Sequence, residues 1–269
     1  MNIRDESVLR ELNLYPLWVR RGAPVADAAE PVAAVKETQA VGKSGGVESD
    51  AHHSAMGIAA LNPSNISSLD WKELKQTVHD CTACKLRAGC TQTVFGVGDE
   101  HADWLFVGEG PGADEDVQGE PFVGQAGKLL DNMLAAIQLK RGNNVYIANI
   151  VKCRPPNNRT PEPDEITSCL PYLQQQIALI KPKLIVALGK TAATSLLRMG
   201  DAEGIGHPSA SPSRGLGRDA TLGSLRGAVH DYQGVPLIVT YHPAYLLRSP
   251  AEKAKAWQDL CFARQRMMT

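Results

Sequence analysis

Long apolar runs are missing from this chain. No window of about 18 consecutive apolar residues occurs among its 269 residues, so no transmembrane helix is indicated and no membrane partner is expected. An excess of either charge is missing too: 28 Lys and Arg stand against 29 Asp and Glu, a formal net charge of −1. Balance argues against a generally basic nucleic-acid binder. It leaves room for a local basic groove, which is what phosphate binding requires. The N-terminus, "MNIRDESVLRELNLYPLWVRR", carries acids where a secretory signal would be basic and has no apolar core segment, so a cytoplasmic protein is expected. In that compartment the six cysteines are expected as free thiols or metal ligands, not disulfides.

What is present is an apolar fraction of 43%, enough for a real core. Residues 1–22 form an N-terminal arm. Residues 23–66 are dominated by small residues, lack aromatics and keep no helical or strand period, which reads as a flexible linker. His52 and His53 fall in that tract and are not taken as ligands. Residues 67–269 read as one domain. Apolar runs at 103–108, 144–151, 183–189 and 235–241 are short, rich in β-branched residues and bounded by Gly, Asn, Lys or Pro, as buried strands are. Helical spacing fills the segments between them, and Pro163 followed by Asp164 and Glu165 marks a helix start. Alternating buried strands and helices predict an α/β fold, a three-layer α/β/α sandwich around a central four-stranded parallel sheet. Ligands of such sheets bind at the carboxyl ends of the strands, where Glu109, Asn149, Lys152, Gly189 and His242 fall.

The first strand leads into "GEGPGADEDVQGEPFVGQAGKLLDNML", whose Gly108, Gly110 and Ala113 satisfy a loose dinucleotide pattern. Asp114, Glu115, Asp116 and Glu120 follow before any expected helix, and Pro111 lacks an amide donor; both oppose a pyrophosphate, so no nucleotide cofactor is expected. The same residues suit a planar ring. Gly110 lets backbone approach a ligand, Phe122 offers a stacking face, and "GQAGK", from Gly124 to Lys128, offers open amides and a lysine for an external phosphate. An acid, a stacking ring and an amide cradle suggest recognition of a base within a nucleic acid.

Cys81 and Cys84 form a Cys-x-x-Cys, and Cys153 and Cys169 lie just after the second strand and in the following helix. Four thiolates from those places can converge on one centre, zinc or an iron–sulfur cluster, and spacing alone does not choose. Cys90 has no assigned role, and Cys261, near Trp257 and Leu260, is expected in the core.

The string from Gly108 to Leu134, "NIVKCRPPNNRTPEPDEITSC", "YHPAYLLR" and the upstream Cys-x-x-Cys-x-Leu occur in this order, and the set resembles the iron–sulfur uracil-DNA glycosylases, family four of that superfamily, over residues 69–269. The resemblance implies a DNA N-glycosylase that flips uracil out of DNA and starts base excision repair. It implies catalysis by Glu109 and His242, and uracil binding by Gly110, Phe122, Asn149 and His242. It implies a structural [4Fe–4S] cluster on Cys81, Cys84, Cys153 and Cys169, and entry of Leu246, Leu247 and Arg248 into the duplex. Gly124, Lys128, Arg154, Asn157, Asn158 and Arg159 are expected near DNA phosphates. Uracil-containing single strands or U·G duplexes are the expected partners of a monomer. The apolar "ELNLYPLW" in the arm loosely resembles peptides that dock on sliding clamps, although a helix folding back on the domain explains it as well. Two other classes stay open on the residues alone: a hydrolase acting on RNA or nucleotides, and a DNA sensor that binds without releasing base.

Overall fold

The computed structural model describes residues 66–202 and 220–268. The N-terminal arm, the linker up to residue 65 and most of the polar loop at 200–224 lie outside the described residues, and the clamp-docking expectation lies there with them.

The four expected strands form where the apolar runs stand: β2 Trp104–Gly108, β3 Val145–Asn149, β4 Leu184–Leu188 and β6 Val235–Thr240. They pair in parallel in the order β3-β2-β4-β6. Every residue of β2, β3 and β4 is buried, which explains why they read as continuous apolar runs instead of an alternation. The sheet has six strands, not four: β1 (Val97–Gly98) and β5 (Val229–Tyr232) add antiparallel edges, giving β1-β3-β2-β4-β6-β5.

Alternate strand residues feed two cores. Leu105, Val107, Ala148, Ile185 and Val239 face one layer, with α1 (Trp71–His79), α4 (Pro163–Ile180) and α5 (Lys190–Ala202). Phe106, Ile147, Val186 and Ile238 face the other, with α3 (Gln125–Ala136) and α8 (Lys253–Met267). That is the three-layer sandwich. Asp70 starts α1 as a reciprocal cap with Glu73, and Pro163 opens α4 as expected. Three short helices complete the described chain: α2 (Ala113–Gln118), α6 (Leu222–Leu225) and α7 (Pro243–Arg248). No helix among the described residues is long and apolar enough to cross a membrane.

Two details depart from expectation. The acidic run 114–116 is the first turn of α2, where carboxylates favour the helix dipole, so the acids are placed structurally as well as against a phosphate. Cys261 lies on the exposed side of α8, while Leu260 and Ala263 take the inward face.

β2 lies between the two strands that follow it in the chain, β3 on one side and β4 on the other. This is the switch point at which an open α/β sheet forms a crevice beyond its carboxyl edge.

Candidate active site

A wide cleft lies at that edge, and Glu109, Gly110, Phe122, Gly124, Asn149, Gly189, His242 and Arg248 all line it. Residues more than 130 positions apart in sequence thus meet, with Glu109, Asn149, Gly189 and His242 each ending or directly following a parallel strand.

Asn149 ends β3 and is 2% exposed. Its Oδ1 is buried and has no hydrogen-bond partner among the described residues. An unpaired buried amide oxygen costs about 1–3 kcal/mol, so the position asks for a donor from a ligand. Behind it, β1 stops pairing at Ile147, and the fully buried Lys152 takes over: its Nζ donates to the Asn149 carbonyl at 3.0 Å and to Gln176 Oε1 at 2.6 Å.

Phe122 sits beside this amide with its ring 5.5 Å from the His242 ring. A Cβ on Gly108 would come within 2.5 Å of both Asn149 Oδ1 and Phe122 Cζ, so glycine is what leaves room between the amide and the ring. A Cβ on Gly110 would come within 2.8 Å of Val151 Cγ2.

His242 follows β6 and caps α7: its Nδ1 accepts the Ala244 N–H at 3.1 Å. Nδ1 therefore carries no proton, and in the neutral ring Nε2 is the donor. Burial, seconded by the Arg248 charge, lowers its pKa to about 4, so the neutral ring is the form present at pH 7. The strand leading to it is anchored from below. Thr240 Oγ1 donates to the buried Asp259 at 2.7 Å, and Arg226 grips the same carboxylate at 2.6 and 2.9 Å. The depressed pKa has a consequence for stability. Between about pH 6.5 and 4 the unfolded chain binds a proton that the native His242 refuses, so stability is full above that window and falls as pH drops through it. The loss is at most about 3 kcal/mol. Urea midpoints from pH 7 to 4 should show a steeper fall for the wild type than for His242→Ala.

Glu109 leaves β2 into the cleft, and its carboxylate makes no ion pair with a described residue. The neighbouring acid has a different task. Glu115 accepts N–H bonds from Gly112 at 3.0 Å, Val123 at 2.9 Å and Gly124 at 3.0 Å, which folds the loop back on itself. Of the amides from Gly124 to Lys128 expected to be open to an external phosphate, that of Gly124 is therefore already taken by Glu115. Gly127 of the same motif is there because a Cβ would overlap the Phe122 carbonyl.

Among the remaining expectations, Lys128 and Arg154 do not line the cleft, whereas Asn158 and Arg159 do. Arg154 instead donates to Asn158 Oδ1 at 2.7 Å. The Arg159 guanidinium is held by both oxygens of the buried Glu165, at 2.6 and 2.8 Å, so much of its charge is spent inside the protein. Leu246 is corrected: residues 243–248 are helical, so neighbouring side chains point apart, and Leu246 is 1% exposed in the core while Leu247 is 39% exposed. Arg248 lines the cleft, and Leu247 is exposed beside it in sequence. Lys190, Thr191 and Arg198 of α5 also line the cleft and went unnoticed in the sequence, although a Gly-Lys-Thr after a strand was a visible sign.

On the opposite side of β3, Cys81, Cys84, Cys153 and Cys169 line one small pocket with Val78, Leu86 and Tyr172. Tyr172 Oη donates to Cys81 Sγ at 3.2 Å, and the Lys152 N–H donates to Cys169 Sγ at 3.2 Å. Burial raises the pKa of Cys84 and Cys153 and pushes Cys169 up to about 12, so thiolates here need a cationic partner. Among the described residues no three His, Cys, Asp or Glu side chains close on a single-ion position. Cys90 neighbours Cys153 without lining the pocket.

A parallel-sheet crevice holding an unpaired amide, an aromatic ring, a neutral histidine and a free carboxylate is built for a planar, hydrogen-bonding ring. Residues 95–261 match the family model of the uracil DNA glycosylase superfamily. The chain is 41% identical over 199 residues to the type-4 uracil-DNA glycosylase of Pyrobaculum aerophilum, covering 71% of this chain and 92% of that one. It is 42% identical to the type-4 enzyme of Archaeoglobus fulgidus, covering 69% and 86%, and 39% identical to that of Thermotoga maritima, covering 68% and 85%. The chain belongs to the type-4 uracil-DNA glycosylase family.

Proposed function

We propose that this chain is a uracil-DNA glycosylase that takes uracil out of the DNA stack and hydrolyses its N-glycosidic bond, the first step of base excision repair. The observation that carries the reading is the buried, unpartnered Oδ1 of Asn149 beside the Phe122 ring. An amide offers one acceptor and one donor, the complement of N3–H and O4 of uracil; cytosine presents the reverse pattern and is mismatched. Phe122 offsets part of the stacking lost when the base leaves the duplex.

Bond cleavage leaves negative charge on the uracil ring and positive charge on the sugar. His242, neutral with its proton on Nε2, donates to the developing anion without first losing a proton to solvent. The unpaired Glu109 carboxylate supplies negative charge on the sugar side, where it steadies the cation or orients water. Leu247 and Arg248, both exposed, would be the residues to enter the duplex, a role their exposure supports.

The four-cysteine pocket fits a [4Fe–4S] cluster. Its donors are all soft thiols that line one cavity, and burial raises the pKa of Cys84, Cys153 and Cys169, which calls for a cationic group beside them. Cys81 and Cys84 come from the loop before β1, Cys153 follows β3 and Cys169 lies on α4, so the group would tie these three segments together. Its chemistry when bound is structural cross-linking, since this hydrolysis moves no electron.

Base release from single strands and from U·G, U·A and T·G duplexes tests the function. Uracil alone should be released, faster from single strands or U·G than from U·A because those bases cost less to extrude. Tight binding of uracil-containing DNA with no base released would favour the sensor reading. In parallel, iron analysis of the same protein should find four irons per chain, lost in Cys169→Ser.

A further inference from the structure

Among the described residues Phe122 is one of seven non-glycine residues with a positive φ, at +58°, and it is the aromatic one. A bulky residue in the left-handed region is strained and persists only where its surroundings over-determine it. The surroundings are specific here. Arg141, in the turn before β3, reaches across to the loop: its Nη1 donates to the Pro121 carbonyl and its Nη2 to the Phe122 carbonyl, both at 2.7 Å. Its Nε donates to Asp131 of α3 at 3.0 Å, which fixes the guanidinium plane. From the other side Gly127 lets the α3 backbone lie directly against the Phe122 carbonyl. Two successive carbonyls are thus gripped by one planar fork, and the twist between them sends the Phe122 ring into the cleft.

We propose that Arg141 is a positioning residue for base excision: it holds Phe122 in its strained backbone conformation, so that the stacking face is in place before the base arrives. This rests on the uracil-excision reading of the cleft. The planar fork is essential, because a lysine ammonium is a single point that cannot reach both carbonyls and Asp131 with the same geometry. Without it the loop relaxes toward negative φ, the ring swings away from His242, and the entering base loses its stacking partner while Asn149 and His242 stay as they are.

The test is a double-mutant cycle read by single-turnover uracil release from a U·G duplex, per folded enzyme. Arg141→Ala and Phe122→Ala should each slow release about tenfold, and the double variant should be no slower than Phe122→Ala alone, because Arg141 acts only through that ring. Arg141→Lys should behave like Arg141→Ala and supplies the cycle if the alanine variant does not fold. Losses that multiply in the double variant would overturn the proposal, since a general effect on stability or DNA binding is blind to Phe122. Wild-type rates in both Arg141 variants would overturn it as well. A wild-type protein that releases no uracil would instead refute the glycosylase reading, which separates the two failures.

Discussion

Replacing His242 by alanine is expected to slow uracil release about a hundredfold to a thousandfold while leaving DNA binding nearly unchanged. The size follows from where the charge develops. The ring contributes little to holding a neutral base, but on the proposed reading its Nε2 proton is the one donated to the anion that forms as the bond breaks. The Ala244 N–H on Nδ1 fixes which nitrogen carries that proton, and burial keeps the ring from taking a second one. A transition-state donor of this kind lowers kcat and kcat/KM together when it is removed. Single-turnover release under saturating enzyme, with binding to a duplex that contains an abasic site measured alongside, separates this outcome from misfolding. A His242→Ala enzyme that releases uracil within threefold of the wild type would remove the histidine from the mechanism.

Gly108→Ala should be nearly as damaging, for a steric reason. The added methyl carbon would stand 2.5 Å from Asn149 Oδ1 and 2.5 Å from the Phe122 ring, so both groups that receive the base must move. A displacement of roughly 1 Å in a site of this precision costs on the order of a hundredfold in rate. The strain on β2 and its neighbours should cost about 1–3 kcal/mol of stability. The prediction is a folded protein, with its urea midpoint lowered modestly, that binds uracil-containing DNA yet releases uracil about a hundred times more slowly. Normal release by a folded Gly108→Ala protein would mean that the base does not sit between Asn149 and Phe122.

The parts of this protein that could be read from its sequence are those with a local signature. β2, β3 and β4 are buried on both faces and so appear as unbroken apolar runs. β1 is two residues long and contains a glycine, and β5 is the polar "VHDY", so neither offers a pattern to find. Glu109, Phe122, Asn149 and His242 were visible because each stands at or just after a strand end, or in a glycine-rich turn. The residues that hold them were not. Arg141 acts on carbonyls 19 and 20 positions away, Lys152 bonds a backbone oxygen and Gln176 across the α4 layer, and Asp259 supports β6 from the last helix. Such contacts join a side chain to a backbone group set by tertiary structure, and no spacing rule reports them. Leu246 and Leu247 show the complementary error. Read as a loop they are equivalent, but on a helix one turns inward and the other outward.

The measurement that tests the account most directly compares wild type with Asn149→Ala on U·G and C·G duplexes of the same sequence. The wild type should release uracil and leave cytosine in place. Asn149→Ala should lose about a hundredfold in uracil release, the worth of two hydrogen bonds to a base inside a dry pocket. If Asn149→Ala releases uracil at the wild-type rate, or the wild type releases cytosine as readily as uracil, the amide at the end of β3 does not read the base and the central claim is wrong.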